Sequence, residues 1–107
     1  MKFKNTSCGT IMFPLKENEA ITNGAVYEIV SGKAQKVTTT PTGALIGVCQ
    51  GGDKLEKGKI MLDIDPTSIF KETYESKPTV GEAVLGCKLV IAVDEVNKTF
   101  EYVLRKI

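Results

Sequence analysis

Residues 23–65, NGAVYEIVSGKAQKVTTTPTGALIGVCQGGDKLEKGKIMLDID, carry the pattern that decides the fold. Val26, Glu28 and Val30 fall on one face of a period-two segment, and Tyr27 and Ile29 on the other. The segment breaks at Ser31-Gly32 and resumes as Lys33-Ala34-Gln35-Lys36-Val37. A two-residue break that holds glycine between short alternating runs predicts a β-hairpin, because glycine accepts the positive φ that tight hairpin turns demand. Thr38-Thr39-Thr40-Pro41-Thr42-Gly43 then reads as a loop, with proline and glycine as breakers. Residues 44–49 (ALIGVC) are apolar at successive positions, which predicts a strand buried on both faces. Gly47 inside that run predicts a bulge or a close backbone approach. Residues 59–65 alternate again, with Ile60, Leu62 and Ile64 inward and Met61, Asp63 and Asp65 outward. Between them, residues 50–58 (QGGDKLEKG) form a hydrophilic turn from which Leu55 folds back on the core.

Outward from this block the same grammar continues. After Asp65-Pro66, residues 68–74 resume a strand, and residues 76–81 (SKPTVG) form a loop. Residues 88–93 and 99–104 predict a second hairpin across a turn at 94–98. In its return strand Phe100, Tyr102 and Leu104 point one way and Thr99, Glu101 and Val103 the other. No segment sustains a 3.6-residue period beyond two turns. Short strands at roughly ten-residue spacing with glycine turns predict an all-β fold, a small β-barrel or β-sandwich with hairpins. Alternation satisfies either closure.

Upstream, residues 10–15 (TIMFPL) are apolar, but Pro14 cannot donate to a sheet ladder. Residues 1–20 therefore read as an extended N-terminal arm or an edge strand, and residues 21–107 as a single β domain. As an arm, Phe3, Ile11 and Phe13 are placed to dock on a partner; as an edge strand, residues 10–15 close the protein's own sheet.

The 107 residues bound the chain to one ordinary core, with 42% hydrophobic and 25% charged residues. A net charge of +1 without a basic stripe argues against nucleic acid, where phosphate neutralisation supplies most of the affinity. No apolar run reaches the roughly 18 residues of a membrane span, and residues 1–13 lack the apolar stretch of a secretory signal. A cytoplasmic site of synthesis is expected. Cys8, Cys49 and Cys87 are odd in number and about forty residues apart, as neither disulfide frameworks nor zinc sites are spaced.

The absence of histidine removes Cys–His and Ser–His nucleophile pairs and histidine metal sites together. Without a neighbouring base, Cys49 in Gly47-Val48-Cys49-Gln50-Gly51 reads as a strand end and not as a nucleophile. GDKLEKGK from Gly52 has the wrong glycine spacing for a phosphate loop and lies between strands. Asp63 and Asp65 share a strand face, but no calcium-loop pattern surrounds them. The expectation is a non-enzyme with no cofactor and no metal.

Four motifs in order carry a family resemblance: GAVYEIV from Gly24, Ser31-Gly32-Lys33, Ile46-Gly47-Val48, and GKIML from Gly58. Over residues 21–74 this arrangement resembles the decoration (cementing, head-stabilising) proteins of tailed-bacteriophage capsids; the last third of the chain lies outside it. The resemblance implies a virion structural protein that binds the outer surface of an expanded phage capsid and stabilises it. It implies the major capsid protein as partner, a homotrimer at local three-fold positions, and a place on the capsid exterior after synthesis in the bacterial host cytoplasm. It also implies an N-terminal arm that pairs with the shell, for which Phe3, Ile11, Phe13 and Leu15 are the candidate contacts. The alternative is a β-rich binding module of a phage tail or baseplate, or a protein- or carbohydrate-binding adaptor. There is no Trp for a sugar platform, and Tyr27, Tyr74 and Tyr102 fit core or rim positions.

Overall fold

The computed structural model describes residues 10–43, 45–52 and 58–105. These contain nine strands and no helix: β1 Thr10–Pro14, β2 Val26–Val30, β3 Lys33–Lys36, β4 Leu45–Gly52, β5 Lys59–Asp63, β6 Phe70–Thr73, β7 Ala83–Val84, β8 Lys88–Asp94 and β9 Thr99–Leu104. The chain forms two compact units, Met1–Val37 with Thr42–Asp65, and Thr38–Pro41 with Pro66–Ile107. The all-β expectation holds, with two antiparallel sheets.

The first unit is a five-stranded sheet in the order β1-β5-β4-β2-β3. The β2–β3 hairpin turns where glycine predicts it: Ser31 and Gly32 have φ of 53° and 80°, both positive as a type I′ turn requires. Tyr27, Ala34, Cys49, Ile60 and Leu62 form the core, with Phe13, Leu15, Ile29 and Ile64 packed against it. Tyr27 is fixed at both ends of its hydroxyl, which donates to Ala20 O at 2.5 Å and accepts from Thr22 N–H at 2.9 Å. Gly47 makes the close approach. A Cβ there would meet Leu62 Cβ at 2.9 Å and Asp63 O at 3.0 Å. The bulge of this strand lies further on, between Cys49 and Gly51. The sheet curls into a half-barrel whose edge strands meet at one point, a parallel bridge from Leu15 to Ala34. Barrel-like curvature, and not a flat sheet, describes this unit.

Glu28 ties the threonine-rich loop to this sheet. Its Oε1 accepts from Thr42 N–H at 2.7 Å, Gly43 N–H at 2.6 Å and the Thr42 hydroxyl at 3.2 Å, and Oε2 accepts from Gln35 Nε2 at 3.5 Å. Burial raises its carboxyl pKa, but these hydrogen bonds outweigh it and hold the group below the ordinary 4.5.

The second unit is a four-stranded sheet in the order β6-β9-β8-β7. The β8–β9 hairpin is closed by Asp94, whose Oδ1 accepts from Val96 N–H and Asn97 N–H at 3.0 and 3.1 Å. Phe100, Tyr102 and Leu104 are buried on one face, as alternation predicts. The ring of Tyr102 lies 5.5 Å from Phe70 and 5.7 Å from Phe100. The two-residue strand β7 escapes a sequence reading because so short a run has no period.

Candidate functional site

β1 is one of the two edge strands of the first unit, with β3 at the other end of the sheet. It pairs with β5 from Thr10 opposite Asp63 to Pro14 opposite Lys59. Leu15 continues this register and donates its N–H to Gly58 O at 2.8 Å. Hydrogen-bonding direction alternates along an antiparallel ladder, so Ile11, Phe13 and Leu15 direct their backbone groups to β5. Thr10, Met12 and Pro14 direct theirs away from it. Lys16 checks the parity: on the outward side, it donates to Ala34 O of β3 at 2.9 Å. Pro14 thus sits where a missing N–H costs no ladder bond, which is why proline is tolerated here.

The result is a short open edge. Among the described residues, no strand pairs with the outward groups of Thr10 and Met12, and the Lys16–Ala34 contact closes the edge just beyond Pro14. Two apolar side chains flank it, Ile11 at 44% exposure and Met12 at 39%.

The candidate contact residues separate accordingly. Phe13 and Leu15 pack against the core of their own sheet. Ile11 is exposed beside the open edge, and Phe3 lies outside the described residues. Residues 10–14 are therefore an edge strand, the second of the two roles considered for this segment. Met12 stands outside the candidates read from sequence because apolarity alone does not say which residues of an edge strand are covered.

Cys49 and Cys87 are buried. Burial pushes the Cys49 thiol pKa up, only partly offset by the Gly51 N–H at 3.3 Å from Sγ. Asp63 uses Oδ1 to accept from Asp65 N–H at 2.9 Å, a local turn contact. Cys8 and Leu55 lie outside the described residues.

Comparison with protein-family models, with curated proteins and with solved structures finds no match to this chain.

Proposed function

We propose that the chain is a non-enzymatic virion structural protein that binds the outer surface of an expanded phage capsid. One observation supports this reading: among the described residues, no strand pairs with the outward backbone groups of Thr10 and Met12, which lie beside exposed Ile11 and Met12. An extended segment of the major capsid protein adds to such an edge through main-chain hydrogen bonds, and the two apolar side chains fix its register. The resemblance of residues 21–74 points to the major capsid protein as that partner and to a homotrimeric arrangement on the shell. Stabilisation follows from mass action. A protein that binds only the expanded lattice favours that lattice by its binding free energy, multiplied over many copies.

The test is co-sedimentation of purified protein with expanded and with immature shells from the phage or prophage that encodes it. Saturable pelleting with expanded shells alone is expected. Absence of pelleting with either shell, at low and moderate salt, overturns the proposal in favour of a tail component or a free-standing binding module. Deleting residues 1–15 is a poor test, because it removes β1 and uncovers the core beneath Phe13 and Leu15. Met12→Pro is the sharper change, since it deletes an outward donor that β5 does not use.

A further inference from the structure

The register of the second sheet places a lysine among apolar neighbours. Cross-strand partners share a face, so Lys88 opposite Leu104 and Val90 opposite Tyr102 stand side by side. Phe70 opposite Tyr102 and Glu72 opposite Phe100 bring Glu72 to the same face. Lys88 is only 6% exposed. Its Nζ donates to Glu72 Oε1 at 2.6 Å and lies 5.2 Å from the centroid of the Tyr102 ring. An ammonium has three N–H donors. Among the described residues Glu72 is the one oxygen that accepts from it. A buried charge with unused donor capacity is costly, and the cavity that Lys88 lines gives those donors access to a partner.

Lys88 lines a cavity of about 330 Å³, at the lower end of the range of small-molecule sites. Its charged walls are Glu72, Lys77, Glu82 and Lys88, two of each sign. Each already has a partner. Lys88 and Glu72 hold one another, Lys77 is paired with Glu95, and Glu82 Oε1 accepts from Thr79 N–H at 2.9 Å. An entering ion would have to break one of these pairs or lie against a like charge. The capacity left over, donors and acceptors together, suits a ligand without net charge: the remaining Lys88 donors, the second oxygens of Glu72 and Glu82, and the hydroxyls of Tyr74 and Ser76. Val84 and Phe100 add apolar surface.

We infer that this cavity binds a neutral sugar of about hexose size, its hydroxyls completing the Lys88–Glu72 pair and its C–H face lying against the apolar wall. A sugar ring offers donors and acceptors together without charge, which is the combination these walls leave unfilled. The inference stands on the second unit alone and does not depend on a capsid partner.

Amide chemical shifts of the full chain, titrated with glucose, galactose and N-acetylglucosamine, test it, with acetate and methylammonium as charged controls. Saturable shifts are expected for at least one sugar, centred on residues 72–88 and Phe100, with a dissociation constant of about 1–10 mM. Tyr74→Ala, on the cavity rim, should weaken binding about tenfold with the spectrum otherwise unchanged. Lys88→Met should abolish it. If Lys88→Met fails to fold, Tyr74→Ala and Ser76→Ala decide. No saturable shift with any sugar at about 100 mM, roughly ten to a hundred times the expected dissociation constant, overturns the inference. So do saturable shifts produced by acetate or methylammonium, or sugar shifts that both rim variants leave unchanged.

Discussion

Replacing Glu28 by glutamine removes one charge while keeping the size of a side chain that holds Thr42 and Gly43. Two backbone N–H groups at 2.7 and 2.6 Å donate to a carboxylate that is 5% exposed. Hydrogen bonds to a charged acceptor contribute about 1.5–3 kcal/mol and neutral ones about 0.5–1.5. Converting both from the first kind to the second therefore costs about 2 kcal/mol. Glu28→Ala goes further, because each orphaned donor costs about 1–3 kcal/mol, or about 2–6 for the pair. Urea unfolding at pH 7 measures both as a fall in midpoint at constant slope; at about 1–2 kcal/mol/M, the glutamine variant should lose about 1–2 M. The pH dependence carries the sign. The folded carboxyl is held below its ordinary 4.5, so its contribution is complete above that value and is lost as pH falls through the folded pKa. The gap between native protein and Glu28→Gln should therefore close in acid. A glutamine variant as stable as the native protein at pH 7 would refute the reasoning, as would a gap that persists undiminished to about pH 2, below any ordinary carboxyl pKa.

The two fully buried tyrosines should respond oppositely to loss of the hydroxyl. Tyr27→Phe leaves the Ala20 carbonyl and the Thr22 N–H without their partner and should cost about 1–3 kcal/mol, read from urea unfolding. The Tyr102 hydroxyl has no hydrogen bond among the described residues, and burial, with Glu72 and Cys87 nearby, pushes its pKa well above the ordinary 10. Tyr102→Phe should then be neutral or stabilising by up to about 1 kcal/mol; an equal loss in both variants would contradict this contrast. Gly47→Ala drives a methyl into Leu62 and Asp63 and should cost about 1–3 kcal/mol in thermal or urea unfolding; an unchanged midpoint would show that β4 and β5 separate at little cost. Met12→Pro should leave the urea midpoint of the free protein nearly unchanged while removing its binding to shells; a fold that collapses would show that β5 does use that donor.

The sequence makes the strands legible where an apolar period of two runs for four residues or more. The β2–β3 and β8–β9 hairpins and the β5 alternation of Ile60 and Leu62 are of this kind. It is silent where position matters more than composition. Pro14 marks an edge, yet only the Leu15–Gly58 and Lys16–Ala34 contacts reveal which backbone groups face outward and how the first sheet curls. Glu28 looks like a surface residue until the Thr42–Gly43 loop folds over it, because its partners lie fourteen and fifteen residues away. Lys88 and Glu72 are ordinary charges in sequence. Strand register alone sets them together on an apolar face, and register is a property of pairing between distant segments.

Docking through the outer edge of β1 is read by hydrogen exchange over residues 10–14, comparing free protein with protein saturating expanded shells. In the free state the Met12 amide should exchange rapidly, while the amides of Ile11 and Phe13, bonded to β5, are protected. On expanded shells new protection is expected at Thr10 and Met12, absent when the protein is mixed with immature shells. Unchanged exchange at Met12 on particles that demonstrably carry the protein would contradict docking through the outer edge of β1.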